Sequence, residues 1–243
     1  MLITIDERRK AALLGTEKET VAYAAEHFAK CANEAIRFHG NFFVALSGGS
    51  TPKLIFEKLK GEYTNLIDWK KVFLFWSDER AVPADHPESN YKMAMDAGFK
   101  DLPIPPSHIF RMKGEGDITA HASDYQSAIK NTLQERHFDL IMLGVGEDGH
   151  TASLFPNTEA LSVNDKIVVA NFVPQKNCWR MTFTYPLINS AHNIVFYALG
   201  KNKEAILKEV LRSNNLPASK VGSILHPALW ILDESAGNFL KST

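Results

Sequence analysis

Residues 140–156 read LIMLGVGEDGHTASLFP. The apolar run 140–143 breaks into Gly144, Gly146 and Gly149, with Glu147, Asp148 and His150 set among the glycines. A short greasy run closed by glycines is the pattern of a buried strand leaving a sheet through a tight turn. Two earlier apolar runs also read as buried strands, the first of them likewise closed by glycines. FFVAL at 42–46 runs into SGGSTP, and VFLFW at 72–76 runs into SDER.

Helical spacing fills the gaps between these runs. Residues 17–37 carry Val21, Ala24, Ala25, Phe28, Ala32 and Ile36 on one face, opposite a polar one. TPKLIFEKL reads as a helix with Pro52 in its first turn, where its missing N–H does no harm. PESNYKMAMDAG predicts a helix ending near Gly98, and a further helix is expected at about 119–136 after a Pro-rich loop. Strands are expected at ITI near the start, at IVVANF, at WRMTFTY and at NIVFYAL. KNKEAILKEVLRS follows as an amphipathic helix, then a last strand in PALWIL and a helix from near Asp233. Strands alternating with helices predict an α/β chain with a mostly parallel sheet covered by helices on both faces, read as a single domain over 1–243. Ligands of such sheets bind at the carboxyl ends of strands, where SGGSTP, SDER and GEDGHT all fall.

Bulk composition narrows the function classes. The chain has 243 residues, 45% of them hydrophobic, which is enough for a full core. A formal net charge of −1 gives no electrostatic footprint for nucleic acid. No apolar run approaches membrane-spanning length, and the first residues lack the order of a signal peptide. Two distant cysteines, Cys31 and Cys178, read as free thiols of a reducing, cytoplasmic compartment. The sequence assigns no oligomeric state.

Each polar cluster has a chemical and a bland reading. In SGGSTP, Gly48 and Gly49 precede Ser50 and Thr51 at a helix start, either a phosphate cradle or an ordinary capped helix. It is not a nucleotide P-loop, because GxxxxGK[ST] is absent. In SDER, Arg80 suits an anion or an oxyanion, or else a local ion pair. In GEDGHT, His150 suits proton abstraction from water near neutral pH, and Asp148 orients its ring if the turn folds back. A metal is not expected, since no second His or Cys lies at ligand spacing, and no GxSxG supports a serine triad. Arg180 and Lys203 read either as phosphate partners or as solvated charges.

Taken together, SGGSTPKLIFEKL, WSDERAVPADHPESNY, GVGEDGHTASLFP, RMTFTYPLINSA and WILDESA resemble the 6-phosphogluconolactonase family, in the family's order over about 42–236. The resemblance implies a Rossmann-like α/β fold and hydrolysis of 6-phospho-D-glucono-1,5-lactone in the oxidative pentose phosphate pathway. It implies no metal, no organic cofactor and a small sugar-phosphate lactone as the partner. By position His150 is the implied base, Asp148 its orienting acid and Arg80 the group at the lactone. Gly48, Gly49, Ser50, Thr51, Arg180 and Lys203 are implied for phosphate, and Asn90 only for sugar or structural contacts. Phe183 and Tyr185 stand where leucines are common in the family. Two rivals remain: the glucosamine-6-phosphate deaminase branch, and a sugar-phosphate-binding protein without chemistry. The deaminases follow DGH with a segment shaped like IAFNEP, and Phe155 here takes the aligned place of its glutamate. Phenylalanine relays no proton, so ring opening is disfavoured.

Overall fold

The computed structural model describes residues 1–242. It opens with β1 (Leu2–Asp6), β2 (Arg9–Leu13) and α1 (Glu17–His39). Next come β3 (Phe42–Leu46), α2 (Ser50–Glu62), β4 (Val72–Trp76), β5 (Asp78–Arg80), α3 (Asn90–Asp96) and α4 (Ile118–Leu133). The second half contains β6 (Leu140–Leu143), β7 (Val168–Val173), β8 (Cys178–Phe183), α5 (Tyr185–Asn189) and β9 (Ile194–Ala198). It closes with α6 (Glu204–Arg212), β10 (Ala228–Leu232) and α7 (Glu234–Gly237). Local chemistry sets the boundaries of α1. Thr16 and Glu19 form a capping box at its start, and Gly40 ends it at φ 93°, a conformation glycine adopts without strain.

Seven strands form the central sheet in the order β1-β2-β10-β9-β6-β3-β4. From β2 to β4 every neighbour is parallel, and only the edge strand β1 runs antiparallel. Parallel strands are buried on both faces, and β3, β6 and β9 are buried at every residue. Phe28 of α1 meets Phe42, which pairs in register with Val72. Tyr125 of α4 meets Phe75, three residues along β4 and so on the opposite face. Helices therefore cover both faces, as the alternation predicts.

Four features depart from the sequence reading. RKAAL forms β2, which its mixed pattern does not announce: Arg9 is buried because Asp6 and the carbonyls of Val210 and Ser213 take its guanidinium. SDER is not a turn; Asp78–Arg80 forms β5. IVVANF and WRMTFTY do not join the parallel sheet: β7 and β8 make a separate three-stranded antiparallel sheet with β5. Ser77 is the joint between the sheets, its N–H donating to Leu46 and its carbonyl accepting from Phe183, both at 2.9 Å. The expected strand also stops at Phe183. Tyr185 instead begins α5, because Pro186 fits a first helical turn, and the Tyr185 hydroxyl donates to the carbonyl of Pro217. Cys31 and Cys178 remain free thiols.

Candidate active site

The parallel strands deliver their carboxyl ends to one edge, and the turns after β3 and β6 meet β5 there. Together with β8 and Lys203 they enclose a cleft of about 220 Å³. A cavity of about 440 Å³ lies along β7 and holds none of the predicted site residues, so size does not mark the chemistry.

The quoted turn is built around His150. Gly149 adopts φ 76°, and the N–H of Gly146 donates to the carbonyl of His150 at 2.9 Å, closing the loop. Asp148 accepts the backbone N–H of His150 at 3.2 Å and its ring Nδ1 at 2.5 Å. The Asp148 carboxyl lies below its ordinary range: burial raises it, but the bonds from His150 outweigh that. An ionised carboxylate only accepts, so the Nδ1 nitrogen carries the proton and Nε2 keeps its lone pair. Phe155 stacks on the imidazole, with centroids 3.8 Å apart and an interplanar angle of 16°. Burial pushes the His150 pKa down, against the upward pull of Asp148. The ring is thus held oriented and neutral. A Cβ at Gly146 would stand 2.0 Å from its Nδ1 and Cε1 atoms, so only glycine leaves the ring in place.

Cations line the other walls. Arg80 and Arg180 are direct cross-strand partners on β5 and β8. Like charges placed opposite repel, and neither arginine makes a salt bridge among the described residues. Arg80 gives Nη1 to the carbonyl of Glu88 at 2.5 Å, while its buried Nε has no partner. The Arg180 guanidinium lies 5.9 Å from the Phe155 ring centre. Lys203 reaches over to the carbonyl of Val145 at 2.9 Å. Gly49 caps α2 at φ 108°, with no side chain bonding to its first-turn N–H groups. Those donors are left without a side-chain cap, at a helix end whose dipole favours an anion.

Of the sequence candidates, His150, Arg80, Gly48, Gly49, Arg180 and Lys203 line the cleft. Asp148 stands behind His150. Ser50 and Thr51 occupy the first turn of α2 and are not among the wall residues. Asn90 does reach the wall, and Asp78 is a wall residue that the sequence reading left unassigned. Asp78 accepts from Ser153 Oγ at 2.7 Å, and Asn90 Nδ2 donates to its carbonyl at 2.9 Å. A Cβ on Gly48 would strike Asn90 Oδ1 at 1.9 Å, so this contact too requires glycine. The signal was two-residue spacing: once SDER is a strand, Asp78 and Arg80 face the same side.

Comparison with known proteins identifies the family. A family model described as glucosamine-6-phosphate isomerases/6-phosphogluconolactonase matches residues 15–230. A 6-phosphogluconolactonase of Chlamydia pneumoniae is 41% identical over 236 residues, spanning 95% of this chain and 90% of its own. One from Synechocystis is 38% identical over 218 residues, with 86% and 88% covered. Among solved structures, the 6-phosphogluconolactonase from Trypanosoma cruzi superposes with a TM-score of 0.84 at 27% identity, covering 97% of this chain and 98% of that one. A monomeric glucosamine-6-phosphate deaminase, 22% identical, shares the fold at a TM-score of 0.79, with 94% and 98% covered. Fold alone does not separate the two branches, but by sequence and structure the chain belongs to the glucosamine-6-phosphate isomerase/6-phosphogluconolactonase family.

Proposed function

We propose that this protein hydrolyses 6-phospho-D-glucono-1,5-lactone to 6-phospho-D-gluconate, in the cytoplasm and without metal or organic cofactor. The observation that carries the reading is the neutral, Asp148-held His150 beside two arginines that lack carboxylate partners. A lactone is an activated ester, so the chemistry needs a water, a base, a donor for the developing oxyanion and a grip on the phosphate. His150 Nε2 takes a proton as the water attacks the lactone carbonyl. Arg80 stabilises the tetrahedral oxyanion. When the ring C–O bond breaks, the proton passes from His150 to the departing C5 oxygen, and the base is restored. The α2 start at Gly48 and Gly49, with Ser50 and Thr51, forms the phosphate site together with Arg180 and Lys203, which aligns the carbonyl with the water.

Phe155 argues against the deaminase reading. Its ring fills one face of His150, so the relay acid of that branch has no counterpart there. A mere binding protein has no use for an oriented base. The test generates the lactone from glucose 6-phosphate with its dehydrogenase and compares hydrolysis with the spontaneous rate. Wild type should accelerate it, and His150→Ala should lose about 10²–10⁴-fold while still binding 6-phosphogluconate. No acceleration by folded wild type would leave the binding-protein reading in front.

A further inference from the structure

The cavity of about 440 Å³ sits behind the β7–β8 ribbon and is unused by the proposed reaction. Its walls are α4 (Thr119, Ala122, Ser123), the 157–159 loop and β7, with Trp179 from β8. Successive strand residues face opposite ways, so β8 sends Arg180 to the cleft and Trp179 to this second cavity.

Three observations define what it fits. First, β7 is the edge of its sheet. Phe183 donates its N–H to Ser77, and Trp179 accepts from Ala81, so alternate β8 residues bond toward β5. Their opposite numbers on β7, among them Ala170 across from Met181, therefore turn N–H and C=O away from the ribbon. Ala170 lines the cavity and offers a donor and an acceptor side by side. Second, Phe172 and Trp179 form an aromatic pair, 5.4 Å between centroids, that stays 39% and 45% exposed. Third, the charged lining is one acid, Glu159, and one base, Lys166. They offset each other, unlike the cationic cleft, so a phosphate is not the fitting ligand.

We propose that this cavity is a second ligand site for a neutral planar heterocycle of the nucleobase or nucleoside class, coupled to the catalytic cleft. A base pairs its edge with the free strand edge and stacks on the exposed indole. The coupling route is a buried chain of hydrogen bonds. Asn171, in the cavity wall, donates to Thr158 Oγ1 at 3.1 Å and to the carbonyl of Ser153 at 2.9 Å. Ser153 Oγ donates in turn to Asp78, in the cleft wall, at 2.7 Å. A ligand that orders this wall also orders the ribbon carrying Arg180.

The coupling is read as 6-phosphogluconate affinity, which rests on the lactonase reading for its ligand but not on turnover. Trp69, Trp76 and Trp230 are buried, so Trp179 is the tryptophan whose emission reports on this cavity. Adenosine is titrated with excitation on the red edge of the indole band, with Trp179→Phe as the background. The expected result is a saturable change with Kd below about 1 mM, absent with glucose and lost in Ser123→Phe, which fills the cavity from exposed α4. Adenosine should also shift 6-phosphogluconate affinity by at least about 5-fold in wild type and not in Ser123→Phe. No saturable response, or one that survives Ser123→Phe, overturns the site. An equal response to glucose overturns the ligand class. Binding without a shift in 6-phosphogluconate affinity overturns the coupling, whereas loss of turnover alone bears only on the lactonase reading.

Discussion

At the scale of single residues, the site depends on keeping one imidazole neutral and still. Burial lowers the His150 pKa, so the base form persists below the ordinary histidine value of 6.5. The sign follows directly. Protonation removes the lone pair, so kcat/KM should rise with pH on the acid side and level off, with a half-point below 6.5. A profile flat from about pH 5 to 8 would remove His150 as the titrating base. Gly146 gives a sharper test. Its Cβ would collide with the ring rather than with backbone, so Gly146→Ala should fold but displace the base. We expect kcat/KM to fall by about 10²–10⁴-fold with little change in Tm. A variant that keeps wild-type kinetics would show that the ring position is not critical.

At the scale of elements, β5 is the piece that makes the site. It is three residues long, yet it carries Asp78 and Arg80 to the cleft and Glu79 to the other side. Glu79 is buried and accepts from Ser89 Oγ and from the backbone N–H groups of Arg80, Asn90 and Tyr91. One carboxylate thus ties β5 to the start of α3 and fixes Asn90 against Gly48. Burial nevertheless raises its pKa, because desolvation outweighs those bonds. Glu79→Gln keeps the shape but turns one acceptor into a donor facing other donors. It should cost about 1.5–3 kcal/mol, measured by chemical denaturation. An unchanged midpoint would mean that the tie is dispensable.

At the scale of the molecule, the cleft gathers residues from positions 47 to 203 along the chain. A phosphosugar there bridges the parallel sheet, the small antiparallel sheet and the start of α2, and its phosphate gives Arg80 and Arg180 the anionic partner that no carboxylate supplies. Binding to the folded state alone stabilises by mass action, about 2.7 kcal/mol at a hundredfold excess over Kd. For a chain of this size that raises Tm by roughly 5–10 °C. 6-Phosphogluconate should therefore shift the melting curve of wild type and fail to shift that of Arg180→Ala. An equal shift in both would remove Arg180 from the phosphate site.

The sequence by itself determined the parallel sheet and the turn that carries His150. FFVAL, VFLFW and LIML are uniformly apolar because both faces are buried, and the glycines after FFVAL and LIML mark where the chain must turn. The His150–Asp148 pairing was equally legible, since two residues on one tight turn meet locally. What only the tertiary structure decided lay in long-range pairing. Asp78–Arg80 is a strand because β8, about a hundred residues later, pairs with it. RKAAL is a strand because β10 lies beside it and Asp6 with two distant carbonyls satisfies Arg9. The facing of Arg80 on Arg180, and the reach of Asn90 to Gly48, are contacts between segments far apart in the chain. Local periodicity carries no record of such contacts, because burial and register are set by partners that only the folded chain supplies.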